Sequence, residues 1–247
     1  MRGIFFFTAI VCSVTVSLHA KFLINLTNAL EKTDKEGKQS YYDEYPVQIK
    51  PGDFVIVGME SWTKSYYFPG LGFTPPGGSP KRVARWFAAT LHKTKEDKGN
   101  RHTLWYKFEA KRGGKYSFAA LGHDKSHSIG PYRYWVAVLP KDKQAEKLFR
   151  GNLTPGSNPE DTYYIEVEAG KVYRVYHISE DFDTKLYIDL PGDRHYEVYG
   201  SGGRTGGKWD SYLAVCALQD GKMKIRASSR YPKEYSGAYR LKIIFDK

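Results

Sequence analysis

The chain is written in short alternating runs of apolar and polar residues. Tyr45-Pro46-Val47-Gln48-Ile49-Lys50-Pro51-Gly52-Asp53-Phe54-Val55-Ile56-Val57 alternates, turns at Gly52 and runs on as a second strand. Tyr163 to Val175 does the same, with Gly170 at its turn. Apolar side chains at every second position predict strands that each bury one sheet face. Runs of this kind, rich in Tyr, Val, Ile and Phe and cut by Gly, Pro and Asp clusters, recur down the sequence and predict an all-β antiparallel sandwich. Helix signals are nearly absent. The charged stretch Lys141 to Phe149 is the exception and predicts a short helical linker.

The runs repeat. Gly52 to Gly170 is an offset of 118, while Gly114 to Gly221 and Gly130 to Gly237 share an offset of 107. Around the later pair, Gly114-Lys115-Tyr116-Ser117-Phe118 answers to Gly221-Lys222-Met223-Lys224-Ile225, and Gly130-Pro131-Tyr132-Arg133-Tyr134 answers to Gly237-Ala238-Tyr239-Arg240-Leu241. These offsets predict two similar sandwich domains, 21–140 and 148–247, joined by a linker at 141–147. The first half then holds 11 extra residues between Trp62 and His102, around Tyr66-Tyr67-Phe68-Pro69-Gly70 and Pro75-Pro76-Gly77-Gly78. A long loop in a small domain tends to be functional or disordered.

Residues 1–20 read as a signal peptide. Arg2 precedes an apolar run from Ile4 to Leu18 that ends at Ser17-Leu18-His19-Ala20, a short stretch with a small residue where signal peptidase cuts. The run is too short for a spanning helix, and no segment of the mature chain is long or apolar enough to be one. Export changes the reading of the two cysteines. Cys12 leaves with the leader, so Cys216 stands alone and no intramolecular disulfide is expected. It lies in Tyr212-Leu213-Ala214-Val215-Cys216-Ala217-Leu218, which predicts a buried strand and an inert core thiol. The formal charge of +11 suits attraction to acidic polysaccharide, cell envelope or membrane. Its basic residues are scattered, which suits plain solubility equally well, and an exported chain is not expected to meet nucleic acid.

The second half resembles a known family. Leu153 through Asp161, Tyr163 to Gly170, Ser179-Glu180-Asp181-Phe182-Asp183-Thr184-Lys185-Leu186-Tyr187 and Ser236-Gly237-Ala238-Tyr239-Arg240-Leu241 follow the order of motifs in the bacterial pre-peptidase C-terminal (PPC) domain. That resemblance covers nearly all of 148–247 and implies a jelly-roll sandwich that aids secretion, stability or substrate attachment without catalysis. The first half is similar only in its outer strands, with Ser61-Trp62-Thr63-Lys64-Ser65-Tyr66 where the acidic motif would stand, and reads as a diverged copy.

Candidate chemistry is sparse. No His is followed by Glu as a zinc protease requires, and no G-x-S-x-G elbow is present. No catalytic residue is therefore assigned, and the alternative is a secreted hydrolase with a scattered site in the enlarged first half. No cofactor is required by these motifs. Asp181 and Asp183 alternate onto one side of a strand entry, where hard oxygen ligands could meet Ca2+, but two carboxylates are too few for a calcium shell and an Asx-type turn accounts for them better. The glycines of 200–207 lack the strand and helix of a phosphate cradle and read as a sandwich loop. His123 and His127 have a spacing that chelates on a helix, but their segment reads as a solvated loop. The stronger binding candidates are Trp62, Tyr66, Tyr67 and Trp209, in or beside loops, where rings can stack on sugars or anchor a protein. Tyr116, Phe118, Tyr132, Trp135, Tyr173 and Tyr239 are assigned to the cores. The acceptor patterns Asn25-Leu26-Thr27 and Asn152-Leu153-Thr154 are idle if the source is bacterial. The expectation is a secreted binding or scaffold protein for extracellular polysaccharide, envelope or protein partners.

Overall fold

Tyr116, Phe118 and Ala120 alternate inward along one strand, and Met223, Ile225 and Ala227 do so 107 positions later, in two separate cores. A computed structural model describes residues 22–30, 35–36, 41–63, 69–79, 81–84, 90–92, 100–122, 130–154, 156, 159–192, 194–200, 210–234 and 237–247. The signal peptide expected at 1–20 lies outside them.

The first half contributes β1 (Ile24–Leu30), β2 (Lys35–Glu36), β3 (Tyr41–Ile49), β4 (Phe54–Thr63), β5 (Pro69–Thr74), β6 (Lys81–Ala84), β7 (Thr90–His92), β8 (Asn100–Glu109), β9 (Gly114–Gly122) and β10 (Gly130–Leu139). They pair antiparallel in the orders β1-β10-β4-β8-β7 and β2-β3-β9-β5-β6. The second half contributes β11 (Gln144–Leu153), β12 (Glu160–Val167), β13 (Val172–Ile178), β14 (Thr184–Leu190), β15 (Arg194–Tyr199), β16 (Ser211–Cys216), β17 (Gly221–Ser229) and β18 (Gly237–Asp246). Their orders are β11-β18-β13-β16 and β12-β17-β14-β15. Without the short β2 and β7, the two sets of orders coincide strand for strand. The fold is all-β, and each half is a jelly-roll sandwich built on the same eight strands, with β2 and β7 added in the first.

The same three side chains clamp the two sheets of each sandwich together. Tyr45 on β3 shares a 2.6 Å hydroxyl contact with Tyr132 on β10, and Tyr132 donates to the Asp43 carboxylate. In the second sandwich Tyr163 meets Tyr239 at 2.6 Å, and Tyr239 donates to Asp161. Burial, together with the carboxylate that accepts each proton, pushes Tyr132 and Tyr239 far up, so both remain donors.

Three sequence expectations change. The helical linker is a single 3-10 turn, Lys141–Lys143, after which β11 begins at Gln144 and pairs with β18 from Gln144↔Asp246 to Leu153↔Gly237. A helix of this length is marginal in water, and the open edge of β18 offers every second backbone group a partner. Residues 141–147 are thus mostly strand. The extra length of the first half is also ordered in part: β5, β6 and β7 fall within it. Leu71↔Ala120 on β5 and β9 matches Leu186↔Ala227 on β14 and β17, an offset of 115 that the sequence reading did not use. Finally, β4 buries both faces rather than one, since Phe54 through Val57 are all inaccessible.

The second face of β4 explains itself through a third apolar cluster between the sandwiches. Phe54, Ile56, Trp135, Ala137 and Leu139 from the first half meet Val172, Ala214, Cys216 and Leu218 from the second. Trp135 and Cys216 are buried as expected, but in this junction rather than inside either sandwich. A Cβ at Gly58 would lie 2.0 Å from the Trp135 ring, so only glycine lets that ring cross β4. At the cluster's edge Glu60 and Arg194, 1% and 8% exposed, form a bidentate pair with contacts of 2.8, 3.0 and 3.1 Å.

Candidate functional site

The outer face of the sheet β12-β17-β14-β15 carries an unbroken row of alternating cations and aromatic rings. Outward alternation places Lys185, Tyr187 and Asp189 on β14, His195, Glu197 and Tyr199 on β15, and Lys222, Lys224 and Arg226 on β17, because Leu186, Ile188, Met223 and Ile225 fill the core behind them. Antiparallel register then sets Tyr187 beside Arg226 and Glu197, and Lys185 beside Tyr199. Arg226 stands 4.3 Å from the centre of the Tyr187 ring, Lys185 lies 4.5 Å from Tyr187 and 4.8 Å from Tyr199, and Arg230 lies 5.3 Å from Tyr199 and 5.4 Å from Tyr231. Each such contact at an exposed site is worth about 0.5–1 kcal/mol. Together they link six side chains into one row.

Carboxylates tie the ladder down from its flanks. Glu197 bridges Lys185 at 2.9 Å, Glu160 and Asp189 approach Arg226 at 3.7 Å, and Asp183 holds Arg230 at 3.2 Å. Burial would lower the Lys185 ammonium, but its bonds to Tyr187, Glu197 and Tyr199 outweigh this and raise it. The Tyr199 hydroxyl and Lys185 hold Glu197 below the usual carboxylate range. His195 Nδ1 contacts Asp189 at the row's far side. Tyr199 and Tyr231 are 42% and 46% exposed, so that end of the row is open to solvent, and Tyr164 on neighbouring β12 is 59% exposed.

The first sandwich lacks half of this row, at Lys185, Tyr187 and Arg226. At the corresponding stations of the first sandwich, Gly70 stands for Lys185, Gly72 for Tyr187, Thr74 for Asp189, Ser117 for Lys224 and Ala119 for Arg226. There the same face has instead a cleft of about 440 Å³ walled by the Pro75–Gly78 turn over Glu44, Lys115 and Ser117.

The predicted site residues fare differently. Trp62 belongs to β4, its side chain outside the described residues; Tyr66, Tyr67 and Trp209 lie outside them altogether, as do His123, His127 and residues 201–207. Asp181 and Asp183 serve separate partners. The Asp181 carboxylate accepts the Ala238 amide at 2.8 Å, and Ser179 donates to the Ala238 carbonyl at 2.8 Å. A Cβ at Gly237, whose φ is 146°, would lie 2.2 Å from that carboxylate. The motif around Asp181 and the closing Gly-x-Tyr motif therefore form one structural knot, with Phe182 driven into the core. Asp183 turns instead to Arg230. Among the described residues no group of three or more His, Cys, Asp or Glu is placed to hold a metal ion. The ladder escaped the sequence reading because alternation shows which residues point outward but not which strands are neighbours.

No protein-family model and no curated protein matches the sequence. Solved structures give distant likenesses. The Sulfolobus turreted icosahedral virus structure shares 10% identity at a TM-score of 0.25, over 85% of this chain and 56% of that one, so this chain spans just over half of it. The CUB1-EGF-CUB2 region of human MASP-1/3 shares 10% identity at 0.27, over 90% and 99% of the two chains. The CBM22-1-CBM22-2 tandem of Paenibacillus barcinonensis Xyn10C shares 10% identity at 0.26, over 93% and 98%. Likeness at this level assigns no function.

Proposed function

We propose that this chain is a secreted, non-catalytic binding protein that attaches to extracellular polysaccharide through the cation–aromatic ladder of its second sandwich. One observation carries the reading: at Lys185, Tyr187 and Arg226, half of the ladder, the equivalent sandwich in the same chain has only Gly70, Gly72 and Ala119. Six side chains linked into one row have already lost part of the rotamer freedom that binding would otherwise cost. Tyrosine hydroxyls, guanidinium groups and carboxylates side by side offer donors and acceptors to a polymer of hydroxyls. The leader supports export, the PPC resemblance supports an attachment role, and the missing catalytic motifs support the absence of chemistry. Among the described residues the groups with the largest shifts, Tyr132, Tyr134, Tyr239 and Cys216, are pushed up mainly by burial, which makes them inert rather than activated.

A glycan array read with the wild type and with a Tyr187→Ser/Tyr199→Ser variant tests this. The wild type should select a small set of glycans and the variant should lose at least about tenfold of that signal while unfolding cooperatively as before. Equal signals from both proteins would remove the ladder from the function.

A further inference from the structure

We infer that the ladder face takes a neutral, hydroxyl-rich glycan rather than an acidic one, an inference that rests on the binding role proposed above. The chain's formal charge of +11 argues the other way until the charges are placed. Among the described residues, five cations stand on this face and its rim, Lys185, Lys222, Lys224, Arg226 and Arg230, with five carboxylates, Glu160, Glu166, Asp183, Asp189 and Glu197. Four of the five cations have a carboxylate within 3.7 Å: Lys185 with Glu197, Lys222 with Glu166, Arg226 with Glu160 and Asp189, and Arg230 with Asp183. Among the described residues this face therefore carries no net charge. A uronate or sulfate arriving here would meet cations already satisfied and carboxylates beside them, and like charges brought together cost several kcal/mol.

A neutral sugar meets the opposite situation. Paired carboxylates still have lone pairs for vicinal hydroxyls, and the paired ammonium and guanidinium groups still have protons for ring and hydroxyl oxygens. Tyr164 adds a stacking surface. It lies in the cross-strand row Tyr164–Lys224–Asp189–His195, is 59% exposed, and its ring meets no aromatic or cationic partner among the described residues. The ladder rings are flanked by cations, so Tyr164 is the position where a pyranose face can lie flat, with the ladder reading its hydroxyls alongside.

The test uses the full mature chain in depletion assays on insoluble neutral polysaccharides (cellulose, xylan, curdlan) and on cross-linked polygalacturonate, at about 20 mM and about 500 mM NaCl, where the screening length falls from about 20 Å to about 4 Å. Retention on at least one neutral matrix should change less than about twofold with salt and fall at least about tenfold in Tyr164→Ala. Binding confined to polygalacturonate, lost about tenfold or more at high salt and lost again in the Tyr187→Ser/Tyr199→Ser variant, would overturn the neutral ligand and leave the binding role standing. Wild-type retention of the ladder variant on every matrix, or no retention of the wild type on any, would end both.

Discussion

His177 makes the second sandwich sensitive to acid, and the size of the effect can be worked out. The imidazole is fully buried on β13, with its edge against the rings of Phe182 and Tyr239. Nδ1 lies 3.1 Å from the Lys185 carbonyl, which can accept its proton, and Nε2 has no partner among the described residues. Burial holds its pKa down to about 4 against an ordinary 6.5, outweighing the Lys185 carbonyl, which acts the other way. The unfolded chain therefore binds a proton that the folded chain refuses. Stability is fully present above about pH 6.5, declines as the pH falls, and levels off below about 4, with a total of about 3 kcal/mol. At pH 4.5 the loss is already about 2.5 kcal/mol. The repeat supplies the control, because the station equivalent to His177 in the first sandwich is Met59, itself buried. Urea unfolding of wild type and His177→Met at pH 7.5 and pH 4.5 isolates the effect, since the other titrating groups are common to both proteins. The variant's stability relative to wild type should improve by about 2.5 kcal/mol between the two pH values. A difference that does not move with pH would refute the claim that the imidazole is buried and neutral.

Two further substitutions probe what holds the sandwiches. Glu60→Gln should cost about 3–5 kcal/mol in urea unfolding, because it strands the buried Arg194 charge, whereas Glu60→Met with Arg194→Met should recover most of that loss. Tyr132→Phe and Tyr239→Phe should cost similar amounts, about 1 kcal/mol each, since each removes a donor from a half-buried carboxylate and a partner from a second tyrosine. A loss from only one of them would break the equivalence of the two clamps.

Most of the architecture could be read in advance because it rests on period and punctuation. Gly114 and Gly221 open matching strands, and the offsets of 118 and 107 that align the sequence are those that relate Tyr45 to Tyr163 and Tyr132 to Tyr239. What stayed hidden was relational. Phe54-Val55-Ile56-Val57 reads as one buried face until a second sandwich is set against it, and Glu60 looks like any strand carboxylate until Arg194 arrives from 134 residues away. Lys141 to Phe149 carries charge enough to suggest a helical linker, and only the free edge of β18 makes it a strand from Gln144 onward. The ladder belongs to the same class. Lys185, Tyr187, Tyr199, Arg226 and Arg230 come from three strands and a turn, and no spacing along the chain links them. The acidic motif belongs there too: the Asp181 carboxylate accepts the amide of Ala238, 57 residues further on, and the local bond at this turn is the Asp181 amide donating to the Ser179 hydroxyl at 3.1 Å.

The most direct test of the account is amide hydrogen exchange of the mature chain with and without the strongest ligand from the glycan array. Binding at the ladder predicts slowed exchange in β14, β15 and β17 and none in their first-sandwich counterparts β5, β6 and β9. Protection confined to the first sandwich, or spread evenly over both, would contradict it.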